Sequence, residues 1–134
     1  MRLRLTFTEV AVILMIGLLL LQFALTEYSR YAGRRDGAAD AVSDIKSSTL
    51  KLQIGGKPQP WTPIYIGMCK ERYGIDIERR YACTPTDYQS SYLSAYNEVM
   101  LRHISESLDE GFSVSDLISE AHDQWATSHS VADN

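Results

Sequence analysis

The chain has few of the residues that build catalytic and metal sites. Among its 134 residues are 2 cysteines and 3 histidines, and it contains no G-x-S-x-G, no H-E-x-x-H and no glycine-rich phosphate loop. Its many acidic residues form no recognisable paired-carboxylate pattern. We therefore predict a protein that is not an enzyme, that needs no cofactor or metal, and whose sequence identifies no small-molecule ligand.

Basic residues are scarce in the C-terminal part of the chain. Residues 84–134 contain one basic residue, Arg102, and nine acidic residues, whereas residues 29–83 contain ten basic and six acidic residues. Nucleic-acid binding needs concentrated Lys and Arg to meet the phosphates. The composition therefore predicts no nucleic-acid partner.

One long hydrophobic run is present, at the N-terminus. Residues 10–25 carry no charge and one polar residue, Gln22. Sixteen helical residues rise about 24 Å, and the flanking residues extend the segment to the roughly 30 Å of a hydrocarbon core. We predict a transmembrane anchor that contacts the bilayer through residues 5–28, with Glu9 near one interface and Tyr28 at the other.

Two other interpretations of this run are weaker. A cleaved signal peptide would explain Arg2 and Arg4, but the run is longer than a usual apolar h-region, and no small-x-small cleavage pair follows it in TEYSRYAGRR. A buried core helix would need an apolar surround, which the rest of the chain does not offer. An uncleaved anchor is the prediction.

The charges that flank the run barely decide its orientation. Arg2, Arg4 and the α-amine precede it, and three arginines predicted to lie at the membrane interface follow it: Arg30, Arg34 and Arg35. A single N-terminal anchor in a small bacterial protein most often leaves its N-terminus in the cytosol. We therefore expect the bacterial cytoplasmic membrane, with the C-terminal domain outside.

The rest of the chain predicts one small α/β domain, with α+β as the alternative class. The expected division is a cytosolic tip and anchor over residues 1–28, a juxtamembrane linker or stalk helix over 29–48, the soluble domain over 49–129 and a frayed tail over 130–134. Small residues at helical spacing in the linker are compatible with packing on a neighbouring subunit or on the protein's own domain.

Within the domain, periodicity and turn residues predict two strands and about three helices. TLKLQIGG alternates apolar and polar residues as a half-buried strand does, and IDIERRYA suggests a second strand. A helix between Pro63 and Gly74 separates them, which predicts a parallel βαβ unit. The next helix should be capped by Thr84 and end at Gly111, and Ser113 should cap the last one.

Aromatic residues supply the candidate partner-binding positions Trp61, Tyr88 and Tyr92. Trp61 lies in the proline-rich stretch KPQPWTP, where it is either a ligand anchor or a cover for the core. Tyr88, Tyr92 and Tyr96 recur every four residues and form either a binding face or part of the core. The sequence leaves both choices open.

The two cysteines, Cys69 and Cys83, are separated by thirteen residues. A disulfide between them would close a loop that stabilises the fold by about 3 kcal/mol. Unpaired buried thiols are the alternative, and metal or redox work is a third, since the spacing is neither a C-x-x-C pair nor a zinc pattern. We predict the disulfide.

The stretch CKERYGIDIERRYAC, followed by SAYNEVM, resembles the small bacterial domain called FEKKY. The matching residues lie between residues 65 and 100: Arg72, Tyr73, Gly74, Cys83, Tyr96, Asn97 and Met100. Cys69 stands where that pattern has phenylalanine, so the resemblance does not imply the disulfide. It implies a small α/β domain and no particular activity.

These features favour a membrane-anchored, non-catalytic binding or accessory protein of the bacterial cell envelope, in a complex with other proteins or with further copies of itself. The alternative is a small thiol-dependent redox or metal-binding enzyme that uses Cys69 or Cys83 with a histidine. A third hypothesis is a purely structural subunit whose span makes the main contacts, although the span contains no G-x-x-x-G face.

Overall fold

The described residues form four helices and two strands. This computed structural model describes residues 6–81, 84–108 and 111–130. The elements in order are α1 (Phe7–Lys46), β1 (Lys51–Gly55), α2 (Thr62–Tyr73), β2 (Asp76–Tyr81), α3 (Asp87–Ser107) and α4 (Val114–Ser130). The predicted two-stranded sheet with three helices after a long apolar helix is confirmed.

The first part of α1 stands clear of the other described residues. Thr6 and Glu9 form a capping box that starts the helix. Every large apolar side chain of residues 10–25 is exposed within the described chain. By length and composition alone, this helix is able to cross a membrane.

The second part of α1 continues without a break into the domain and packs along α3. Its buried residues are Gly33, Gly37 and Ala41, which are four apart and therefore share one face. A side chain on either glycine would overlap a backbone carbonyl of α3. Glycine at these two positions is what allows the two backbones to touch.

The two strands form the parallel pair that the sequence predicts. Leu52 pairs with Ile77, and α2 provides the connection between the strands. Gly74 ends α2 with a φ of 68°, a left-handed conformation that favours glycine. On the other edge of β1, the Asn97 side chain bonds to the backbone of Gln53 where a third strand would otherwise pair.

Of three predictions about the ends of helices, two differ from the structure and one is confirmed. Thr86, not Thr84, caps α3. The Gln89 amide donates to the Thr86 hydroxyl, and the Thr86 amide donates to the Gln89 side-chain oxygen. The same helix ends at Ser107, before Gly111. The predicted cap of α4 is confirmed, since the Asp116 amide donates to Ser113 Oγ.

The predicted disulfide is not found among the described residues. Cys69 is a free, fully buried thiol on α2. Cys83 lies outside the described residues. The core around Cys69 is built from apolar and aromatic side chains of all four helices and both strands.

Candidate functional site

A cavity of about 250 Å³ opens beside the C-terminal end of β1. Its walls are apolar and come from β1, α2, α3 and α4: Leu52, Ile54, Trp61, Tyr65, Leu101 and Ile118. An apolar concavity with a few polar groups at its edge is the usual form of a binding site. We call it the Trp61 cavity.

The edge of the Trp61 cavity is basic. Lys57 and Arg79 line it, and none of the described lining residues is acidic. Arg79 Nη2 also donates to the Gly56 carbonyl at 3.3 Å, which holds this cation beside the opening. The site therefore suits an occupant that combines an apolar part with a negative charge.

The loop that borders the cavity, residues 56–61, is called the proline loop here. Its turn is closed by the Gln59 amide, which donates to Thr62 Oγ1 at 2.9 Å, and by the Thr62 amide, which donates to the Gln59 carbonyl at 3.0 Å. On the far side of the loop, Pro58, Pro60, Pro63 and Ile66 line a second, shallow apolar depression. The proline loop thus presents apolar surface on both sides.

Trp61 both packs on the core and lines the Trp61 cavity. Its ring packs edge-on against Tyr65, with centroids 6.4 Å apart, so it covers part of the core. It is also half-buried at the cavity wall, where an occupant would touch it. The structure places Trp61 in the candidate site.

Tyr88 and Tyr92 lie elsewhere, in a ladder between α3 and α1. Three tyrosine hydroxyls of α3 donate to three aspartates of α1, and each pair is 52 residues apart: Tyr88 to Asp36 at 3.0 Å, Tyr92 to Asp40 at 2.6 Å and Tyr96 to Asp44 at 2.5 Å. The constant offset means that the two helices run parallel. The structure brings these tyrosines to the protein's own first helix rather than to an open surface.

Burial and negative charge keep the ladder hydroxyls protonated. Burial is the main cause of the raised pKa of Tyr92 and of Tyr96, and the hydrogen bond to aspartate raises each further. On the more exposed rung, the hydrogen bond to Asp36 is the main cause of the raised pKa of Tyr88. Across each rung, a neutral phenol donates to a carboxylate.

Polar side chains from both strands lie next to the ladder. Lys51 Nζ lies 3.5 Å from Asp44 and 3.7 Å from Glu78, and the Arg80 guanidinium lies 5.5 Å from the centre of the Tyr92 ring. Gln53 is 1 % exposed, and its Oε1 has no hydrogen-bond partner among the described residues. These contacts tie the ladder to both strands.

Cys69 has the surroundings of a structural thiol. Burial raises its pKa, which the hydrogen bond with Tyr65 only partly offsets. A thiol in this state is a poor nucleophile and a poor metal ligand. Among the described residues, no group of three or more His, Cys, Asp or Glu side chains is placed to hold a metal ion.

Of the residues predicted at the membrane interface, Glu9, Tyr28 and Arg30 flank the exposed part of α1, whereas Arg34 and Arg35 belong to the part that packs on α3. Glu9 belongs to the capping box and Tyr28 is 69 % exposed. Arg30 bonds to Glu27 and to Asp87 at the start of α3, and Arg35 bonds to Asp36. Arg34 is exposed in a groove between α1 and α3.

No protein-family model, curated protein or solved structure matches this chain. The resemblance of residues 65–100 to the FEKKY domain therefore stays a prediction. Asn97, which belongs to that resemblance, bonds to β1 through both ends of its amide: Oδ1 accepts from the Gln53 amide at 2.8 Å and Nδ2 donates to the Gln53 carbonyl at 2.6 Å.

The reading of the sequence missed the aspartates of the ladder. Their signal was present, because Asp36, Asp40 and Asp44 repeat every four residues, as the tyrosines of α3 do. Two helices with matching four-residue repeats of donors and acceptors can pair rung by rung. The basic edge of the Trp61 cavity has no comparable repeat in the sequence. Lys57 and Arg79 lie on different elements and come together only when the chain folds.

Proposed function

We propose that this chain is a membrane-anchored, non-catalytic binding or accessory protein of the bacterial cell envelope, and a small subunit of a larger membrane-associated complex. The observation that carries the proposal is the division of α1. Over residues 10–25 it exposes uncharged side chains, all apolar except Gln22, and its second part is packed on the folded domain. A bilayer is the surround that removes such a surface from water.

The continuity of α1 gives the anchor a mechanical role. Backbone contact at Gly33 and Gly37 and the three ladder hydrogen bonds fix the domain on the same helix that enters the bilayer. A flexible linker would let the domain wander over tens of ångströms. This connection instead holds the Trp61 cavity at a set height and orientation, as suits a subunit that meets a partner at the membrane.

The first experiment tests membrane insertion. Membranes of cells that express the full chain are washed with alkaline carbonate, and we expect the protein to stay in the pellet. In the matched variant Leu18→Arg/Leu19→Arg, two charges at the centre of the span cost roughly 5–7 kcal/mol for insertion. That variant should move to the soluble fraction, and a native chain that does the same would refute the anchor.

The second experiment tests which side of the membrane the domain occupies. Ser105 is exposed on α3, so Ser105→Cys supplies an accessible thiol without disturbing the core. A membrane-impermeant maleimide added to intact cells should label this variant more than the native chain, because we place the domain outside the cytoplasmic membrane. Extra labelling that appears only after lysis would show that the domain lies on the cytosolic side of the membrane.

The third experiment looks for the partner. Crosslinking in intact cells followed by mild detergent extraction should yield a larger species that contains another envelope protein or a second copy of the chain. The variant Leu18→Arg/Leu19→Arg, which should leave the membrane, should also lose this species. A crosslinked sample that contains only monomer would contradict the accessory role.

A further inference from the structure

We propose that the proline loop docks on the surface of the same membrane, where Lys57 and Arg79 bind anionic lipid headgroups and Trp61 enters the interfacial layer. The inference rests on the proposed membrane anchor. It follows from the direction of β1, the height of the loop above the span, and the composition of the loop.

The direction of β1 is fixed by its contacts with α3. Gln53 bonds to Asn97, and Gly55 lies against the side chain of Leu93. Two residues of a strand span about 6.6 Å, and four residues of a helix rise about 6 Å. The distance between the two contacts is therefore nearly the same along β1 and along α3. Residue numbers rise along β1 from Gln53 to Gly55, while those of the contacted α3 residues fall from Asn97 to Leu93. The strand β1 therefore runs antiparallel to α3. It therefore also runs antiparallel to α1, toward the anchor.

The height of the loop follows from the pairing of the helices. Gly55 contacts Leu93, which follows Tyr92, and Tyr92 packs on Gly37. Gly37 is nine residues beyond the interfacial Tyr28, a rise of about 14 Å along α1. From Gly55 to Pro58 the chain can extend by at most about 10 Å, and it bends at Gly56, where φ is 86°. The tip of the proline loop therefore lies about 4–14 Å above the level of Tyr28, and the headgroup layer covers roughly the first 5–8 Å of that distance.

The composition of the loop matches an anionic lipid surface. GGKPQPWTP contains a lysine and no acidic residue, and Lys57, Pro58, Pro60 and Arg79 are exposed. Tryptophan is enriched at the headgroup level of membranes, and each basic side chain near an anionic leaflet gains attraction. The acidic half of the chain, residues 84–134, contributes no described acidic side chain to the lining of the Trp61 cavity or of the depression beside it.

The test uses Trp61 as its own reporter. The full chain with Trp125→Phe is reconstituted in nanodiscs of phosphatidylcholine alone or with one third phosphatidylglycerol, each with plain or brominated acyl chains. Bromine quenches tryptophan only at close range. We expect Trp61 emission to be quenched in the anionic discs, to be quenched less in the neutral discs, and to recover in 0.5 M salt, where surface charges are screened within about 4 Å.

Charge variants complete the test. Lys57→Gln/Arg79→Gln should lower the ratio of docked to undocked loop by about 30-fold in the anionic discs, as expected when two basic side chains leave such a surface. Arg102→Gln is the matched control, because Arg102 is exposed on α3 ten residues beyond Tyr92 and farther from the bilayer. It should leave the quenching unchanged.

The outcomes separate this inference from the proposed function. A chain that does not enter the discs contradicts the anchor itself. A chain that enters them while Trp61 stays unquenched overturns the docking alone, and a Trp61 crosslink to another envelope protein would then assign the loop to a protein partner. Equal quenching in neutral and anionic discs, insensitive to salt, overturns the role of Lys57 and Arg79.

Discussion

The hydroxyl of Tyr96 donates to Asp44 across 2.5 Å, at the rung of the ladder where the tyrosine is fully buried. Tyr96→Phe removes the shorter of the two side-chain hydrogen bonds to this carboxylate and leaves Lys51 Nζ at 3.5 Å, so we expect a loss of about 1.5–3 kcal/mol in the free energy of unfolding. Urea unfolding of the full chain in detergent micelles, followed by circular dichroism, measures it.

The control for this substitution is the outermost rung. Tyr88→Phe removes the same group, but Tyr88 is only half-buried and the Asp36 side chain is 36 % exposed. Water can replace the lost donor there, so the loss should stay below about 1 kcal/mol. Equal losses at the two rungs would contradict a gradient of burial along the ladder.

Alkaline pH should also weaken the contact between α1 and α3. Burial raises the pKa of Tyr92 and of Tyr96 above the ordinary value of 10.0. A tyrosine whose pKa is higher in the folded than in the unfolded chain stabilises the fold at any pH below the unfolded value. That stabilisation is lost as the pH rises from the unfolded pKa to the folded pKa. Stability should therefore fall above about pH 10. The absorbance of ionised tyrosine from these two residues should appear only with unfolding, and its appearance in the folded protein would refute the assignment.

The sequence predicted the parts of the fold that depend on local patterns. Alternation in TLKLQIGG and the glycine at residue 74 predicted β1 and the end of α2, and the long connection predicted parallel strands. The partner of the small-residue face of α1 was open, because small residues such as Ala41 permit close approach without specifying a neighbour. Gly33 and Gly37 predicted only a weaker helix propensity, and their contact with α3 comes from the fold. Thr84 and Thr86 both fit a cap, and only the reciprocal bonds with Gln89 decide between them.

The Trp61 cavity was the least predictable feature. Its basic edge joins Lys57 from the loop after β1 with Arg79 from β2, and pairing of the strands brings them together. A one-residue shift in the strand register would place Arg79 on the other face of the sheet. Candidate residues on separate elements can therefore be named from a sequence, but their grouping comes from the fold.

Close contact between α1 and α3 predicts a large effect of one methyl group. In Gly37→Ala the new side chain overlaps the Tyr92 carbonyl, which is backbone and cannot turn aside. We expect at least about 3 kcal/mol of destabilisation, or release of α1 from α3, measured by thermal unfolding in micelles.

Gly67→Ala is the matched control for this contact. Gly67 lies inside α2 with open space around the position of a side chain. Alanine is favoured over glycine within a helix by about 1 kcal/mol, so this variant should be as stable as the native chain or more so. A Gly37→Ala variant that behaves like Gly67→Ala would mean that the two helices do not touch at residue 37.

The state of Cys69 predicts its reactivity. Burial raises its pKa and excludes reagents, so in a Cys83→Ser background we expect no alkylation by iodoacetamide at pH 7 until denaturant is added. Mass spectrometry of the alkylated peptide gives the rate. Rapid alkylation of the folded protein below pH 8 would instead support a thiol-dependent enzyme.

Asn97 bonds to β1 through both ends of its amide, and this double contact predicts a sharp chemical requirement. Asn97→Asp keeps the shape and the acceptor but replaces the donor with a charged oxygen against the Gln53 carbonyl. We expect a loss of about 2–3 kcal/mol from the unpaired carbonyl and the repulsion, measured by urea unfolding. The neighbouring Glu98→Gln alters an exposed ion pair with Arg102 and should change stability by less than about 0.5 kcal/mol. If Asn97→Asp were as mild as Glu98→Gln, α3 would not be holding the edge of β1, and the antiparallel course of β1 toward the bilayer would lose its main support.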